Sequence, residues 1–264
     1  MEWDMPVHSS PTGPSAVFTI GCLVILVGLI VWWALSGESK RGPALPLFML
    51  GTAISAVAVE PVFDNTLLYW YPPDNGLGVF AAYGRTVPWF VPLGYAWFFG
   101  GIAYVVWRYL QLGVDRRQVW WTFAVVALID ALATSLAGWL DLSGFYGPQP
   151  FMFGGVNVWF AFADATGVLV GATILFVLTP LLSGRNWLWL LVIPSISYGA
   201  VLGGVSGPVT LGLHSDWPTP VRWLAGAVTI GLCCAVIHGC SYLTAGARPT
   251  ELWAEKGSRE SASS

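Results

Sequence analysis

Residues 16–35 read AVFTIGCLVILVGLIVWWAL, twenty consecutive residues without a charge. A helix needs about 20 apolar residues to cross the hydrocarbon of a bilayer, so this stretch sets the fold class. Further segments of the same kind follow at about 44–63, 87–110, 118–140, 152–181, 187–211 and 221–244. The chain is 56% hydrophobic and only 9% charged, against roughly 25% charged in soluble domains. Sixteen Trp, nine Tyr and fourteen Phe fit the amphipathic rings that collect at membrane interfaces. The expected fold is all-α: a polytopic bundle of seven transmembrane helices.

The basic residues orient it. If the segments alternate, Lys40, Arg41, Arg108, Arg116, Arg117, Arg185, Arg248, Lys256 and Arg259 share one side, and only Arg85 and Arg222 lie on the other. The basic-rich side faces the cytoplasm, which puts the N-terminus outside and the C-terminus inside. Three regions follow: an extracytoplasmic arm at 1–15, the helical domain at 16–245, and a cytoplasmic, disordered tail at 246–264. The first fifteen residues carry no Lys or Arg, unlike a signal-peptide n-region, so the first segment is read as a retained helix. The expected location is the plasma membrane.

Composition and motifs exclude several classes. Net charge is −3, which gives no basic surface for nucleic acid. Cys22, Cys233, Cys234 and Cys240 lie in apolar segments with no metal-site spacing, so packing is their expected role. Lys40 and Lys256 lie outside the spans, which leaves no Schiff-base lysine for retinal. Three histidines are too few for a membrane di-iron site, and His238 alone gives no axial pair for haem. No P-loop, GxSxG or HExxH occurs. The reading expects no metal and no cofactor; the partners expected are the bilayer and a lipophilic small molecule, with the oligomeric state open.

Charged groups at membrane depth are costly and call for a reason. Glu60 lies near the outer end of the second segment, with Asp64 one turn on if the helix persists past Pro61. Asp130 lies mid-segment, with Asp141 eleven residues on, about three turns away. Asp164 follows Asn157 by seven residues. Each has an ordinary structural alternative: Asp64 and Asp141 as solvated interfacial residues, Asp130 as a packing anchor for neighbouring hydroxyls, His238 as a structural histidine. Read together, Glu60, Asp64, Asp130 and Asp164 are the catalytic candidates of a cavity opening outward, with Asp141 and Asn157 among its lining. Tyr71, Arg85, Tyr95, Tyr146 and Gln149 stand at its mouth. The run GAVLGGVSG (199–207) is expected to permit close helix packing.

An apolar surrounding favours the neutral carboxyl group, which can act as a general acid. A second carboxylate, kept ionised by hydrogen bonds, can act as base, and aromatic rings can stabilise a cation between them. That is chemistry for acid-catalysed cyclisation of a lipophilic substrate. A small proton-coupled transporter or lipid-binding protein is the non-enzymatic alternative.

EPVFDNTLLYWYP (60–72), YGRTVPWFVPLGYAWFFGG (83–101) and FYGPQP (145–150) followed by Asn157 resemble the spirocyclase AveC-like family of actinobacterial membrane proteins. The likeness extends over about residues 16–245. It implies spiroketal formation or dehydration on a polyketide-like substrate, with Glu60, Asp64, Tyr71, Arg85, Tyr146 and Gln149 at the matching positions. Glu60 is also reminiscent of membrane-bound terpene cyclases, which protonate an epoxide or alkene.

Overall fold

The computed structural model describes residues 5, 6, 9, 11–72, 77–247 and 249. Among the described residues, seven helices are long and apolar enough to cross a membrane: α1 (Thr12–Leu35), α2 (Ala44–Thr66), α3 (Phe90–Leu110), α4 (Arg116–Trp139), α5 (Val158–Leu181), α6 (Gly184–Val205) and, after a short helix α7 (Gly207–Leu213), α8 (Thr219–Thr244). The chain is a multi-pass membrane protein. The expected segments match these helices to within a few residues, except that α5 begins at Val158 and the sixth segment divides into α6 and α7. Most of the disordered-tail expectation, and part of that for the arm, falls outside the described residues.

The two ends of the bundle differ. At one end lie the short connections, tied by Glu38, which forms an ion pair with Arg108 at 2.8 Å and accepts from the Tyr104 hydroxyl at 2.9 Å. At the other end lie the long loops, folded into three two-stranded antiparallel ribbons that the helical reading did not anticipate. These pair β1 (Tyr69–Trp70) with β4 (Gly144–Phe145), β2 (Gly78–Ala82) with β3 (Arg85–Pro88), and β5 (Met152–Phe153) with β6 (Val156–Asn157). The Met5 sulfur meets Arg85 here, which puts the N-terminal arm at the loop-rich end.

α5 is the central element, packed by α3, α4, α6 and α8. Trp159 and Phe176 on α5, Tyr104 on α3 and Phe48 on α2 are the largest fully buried side chains. α4 packs chiefly on α5 and stands away from its chain neighbour α3, leaving a cleft between the two. α3 carries a π-helical stretch at Ala96–Ile102, AWFFGGI. Such a widened turn shifts the face that following residues present, and here Trp97, Phe98 and Phe99 all border one cavity.

The expected role of GAVLGGVSG is not what the packing shows. A Cβ on Gly203, Gly204 or Gly207 would meet nothing within 4 Å. Close approach is made elsewhere: a Cβ on Gly100 would sit 2.7 Å from the Met49 backbone, drawing α3 onto α2, and one on Gly167 would sit 2.8 Å from the Tyr198 ring.

Candidate functional site

α2, α3, α4, α5 and α6 each bring an acid or a tyrosine to a cavity of about 120 Å³ in the loop-side half of the bundle. Glu60, on α2, is six residues from the helix end, or about 9 Å along the axis. Pro61 does not break α2, whose backbone continues to Thr66. Asp164 lies at a similar depth on α5. Asp130, on α4, is nine residues from Trp139 and lies deeper, at about 14 Å. All three carboxyl groups are buried and line the cavity.

Tyrosines join them. Both Glu60 oxygens accept short hydrogen bonds, one from the Tyr71 hydroxyl and one from the Tyr95 hydroxyl. Tyr95 meets Tyr198 through an edge-to-face ring contact at 5.3 Å. The Tyr198 hydroxyl donates to Asp164 Oδ1 at 3.1 Å. Asp130 lines the same cavity, and its Oδ2 has no hydrogen-bond partner among the described residues.

The result is two hydrogen-bonded groups, Tyr71–Glu60–Tyr95 and Tyr198–Asp164, set side by side by the ring contact of Tyr95 with Tyr198, with Asp130 in the same cavity wall. In both groups a tyrosine hydroxyl donates to the acid. Among the described residues no three His, Cys, Asp or Glu side chains converge closely enough to hold a metal ion.

The rest of the lining is mainly aromatic: Phe18 from α1, Phe90, Trp97, Phe98 and Phe99 from α3, Phe160 from α5 and Tyr69 from the loop. Tyr69 stacks on Phe160 at 5.9 Å and donates to Ser143 Oγ at 2.6 Å. Burial, together with the nearby carboxylates, pushes the Tyr69 and Tyr71 hydroxyls well above the usual phenol range, so both remain donors at any physiological pH.

The candidates named from sequence divide into three sets. Glu60, Asp130, Asp164, Tyr71 and Tyr95 line the cavity. Arg85, Tyr146, Gln149 and Asn157 lie outside its lining and organise the covering loops. Asp64 and Asp141 do neither. Asp64 is buried one turn from Glu60, and its Oδ2 has no partner among the described residues. Arg85 donates to Asn65 Oδ1 at 3.1 Å and to the Tyr146 hydroxyl at 2.6 Å. Gln149 donates to the Leu67 carbonyl at 3.0 Å, and Asn157 donates to Gln149 Oε1 at 3.2 Å. Asn157 precedes α5 rather than sharing a helical face with Asp164. Asp141 has left α4, takes a left-handed conformation at φ 54° and is exposed in a separate niche beside Trp139. His238 is exposed on α8, its ring edge-on to Tyr242 at 4.8 Å.

The expected outward mouth is covered. Leu67–Pro72 is buried throughout, and β1 is stitched to β4 by pairing Tyr69 with Phe145 and Trp70 with Gly144. YWYP and FYGPQP, far apart in sequence, are thus two halves of one plug over the cavity.

Tyr198, Tyr69, Ser143 and the aromatic wall were missed by sequence reasoning. Tyr198 had a signal: it is a lone hydroxyl-bearing ring inside an apolar span, in SISYGA (195–200). No protein-family model matches the chain, and no curated protein and no solved structure is similar to it.

Proposed function

We propose that this protein is a membrane-embedded cyclase that uses its buried acids to close a ring on a lipophilic substrate through a cationic intermediate. The observation that carries the reading is the set of acids itself: Glu60 bonded by Tyr95, Asp164 bonded by Tyr198, and Asp130, all facing one aromatic cavity. General acid–base chemistry needs a donor and an acceptor on either side of the reacting group. Aromatic faces stabilise positive charge at a desolvated site, and a covered cavity excludes the water that would trap the cation.

The resemblance to the spirocyclase AveC-like family narrows the reaction to spiroketal formation. Protonated Glu60 delivers its proton to the hydroxyl oxygen of a hemiketal. The C–O bond breaks, water leaves, and an oxocarbenium ion remains. A second hydroxyl of the substrate attacks the cationic carbon, forming the new C–O bond. Its proton passes to Asp130 or Asp164 as base; before the next turnover the base releases that proton and Glu60 takes one up. The net change is loss of one water. Protonation of an epoxide or alkene by the same acid is the terpene-cyclase version of this chemistry.

The orientation proposed is the one the basic residues give, with the loop-rich end outside the plasma membrane and the C-terminus in the cytoplasm. The test is Glu60→Gln, which keeps the shape and removes the acid. Product yield in membrane fragments supplied with a hydroxy-ketone substrate should fall by roughly a hundred-fold or more; unchanged yield would refute the assignment. The cluster of buried acids also favours a second reading, proton-coupled transport. Product formed in detergent without a gradient supports the cyclase, and substrate-dependent acidification of proteoliposomes without product supports the transporter.

A further inference from the structure

In line with the acid cavity lies a second, apolar hollow. Between α1, α3 and α4 runs a groove of about 580 Å³, within the range of small-molecule pockets. It is displaced from the cavity by one or two turns toward the basic end. On α4, Asp130 lines the cavity and Val126, four residues earlier, lines the groove. On α3, Phe98 lines the cavity and Ile102 the groove. On α1, Cys22 lines the cavity and Leu29, seven residues on, lines the groove. Residues four and seven apart lie on one side of a helix, so the groove follows the cavity along the same sides of the same three helices.

The cleft exists because α4 leans on α5 and away from α3. On α4 the groove runs from Ile129 to Gln118 near the helix start, eleven residues or about 17 Å. Its walls are mainly aliphatic near Ile129, with Trp121, Thr122, Gln118 and Tyr109 toward the far end. Gly101 lets α1 close against α3: a Cβ there would sit 2.4 Å from Leu29 Cδ1.

We infer that this groove holds the single long hydrocarbon tail of the substrate, with the tail directed toward the basic end and the reacting oxygen-bearing head among Glu60, Asp130 and Asp164. This rests on the cyclase reading for the head and on the shape of the cleft for the tail. It makes the substrate an amphiphile with one acyl- or isoprenoid-like chain, taken up sideways from the leaflet at the basic end. The covered loop-rich end, closed by Leu67–Pro72, is then not the entrance.

The probe is hexadecanol carrying a diazirine at its terminal carbon, photolysed with the full-length protein in nanodiscs and mapped by mass spectrometry. Labelling should concentrate on α3 near Val105 and α4 near Thr122, and excess unlabelled hexadecanol should reduce it at least five-fold. Thr122→Trp, which fills the groove, should reduce it similarly; Val105→Phe is the second filling variant should the first fail to fold. Labelling spread evenly over lipid-facing positions such as Leu224 and Val228, or labelling that hexadecanol does not displace, overturns the inference. Glu60→Gln separates the two readings: it should leave labelling intact while abolishing turnover. Intact turnover in Glu60→Gln with labelled groove positions refutes the acid assignment and leaves the tail site standing.

Discussion

The Tyr198 hydroxyl donates to Asp164 Oδ1 across 3.1 Å, joining α6 to α5 at the centre of the bundle. The same ring lies edge-on to Tyr95, whose hydroxyl donates to Glu60, so one side chain touches both hydrogen-bonded groups of the site. Tyr198→Phe keeps the ring and removes the link. It is expected to lower cyclisation by roughly a hundred-fold while thermal stability in detergent changes little. Activity close to that of the parent protein would show that the acids work independently.

Gly167 makes the space that Tyr198 occupies. A Cβ at Gly167 would lie 2.8 Å from the ring, whereas one at Gly203 would meet nothing within 4 Å. Gly167→Ala should therefore cost about 1–3 kcal/mol of overpacking and reduce activity by displacing Tyr198. Gly203→Ala should be neutral or stabilising, because Ala is the better helix former. Thermal melts of the two variants, read by size-exclusion chromatography, test the contrast.

Gln149 clasps the plug. It donates to Leu67 and Tyr146 carbonyls and accepts from Asn157. Gln149→Leu removes all three contacts at about 1 kcal/mol each. Amide exchange at Leu68–Tyr71 should accelerate, with the helix centres unchanged. If exchange stays slow there, the ribbon pairing alone holds the plug.

Glu38 links stability to pH at the opposite end. Partial burial disfavours its charge, but the Tyr104 hydroxyl and the Arg108 guanidinium, helped by Arg41, more than offset this and hold the carboxyl below its usual range. A depressed folded-state value contributes stability that is present above the ordinary carboxylate range and lost as pH falls through the folded value. Acidification should therefore lower the melting temperature, and Glu38→Gln should flatten that dependence while lowering the melting temperature at neutral pH.

The spans were legible because long uncharged runs have few other readings. Glu60, Asp130 and Asp164 were legible because charge at membrane depth is conspicuous. Their partners were less so. A soluble helix marks its inner face with an apolar stripe, but here lipid and core are both apolar, and the helices are hydrophobic all round. Helix rotation is thus unreadable, and Tyr198 and the aromatic wall cannot be told from lipid-facing rings. Asp141 and Asn157 were misplaced for a simpler reason: helical periodicity was extended past helix ends that turn at Leu140 and Val158. The ribbons depend on pairing between distant loops, which local pattern does not encode.

α1 has 24 residues, of which Ser15 and Cys22 alone are buried, yet its Phe18 and Cys22 wall the cavity and its Leu29 walls the groove. Of the seven spans α1 is the least buried, so the partition between the acids and the lipid is the helix least held by the rest of the protein. On the proposed sideways route a guest has to part this screen, and the acids behind it need not move. Membrane thickness and lipid packing then set how readily such a guest reaches the acids.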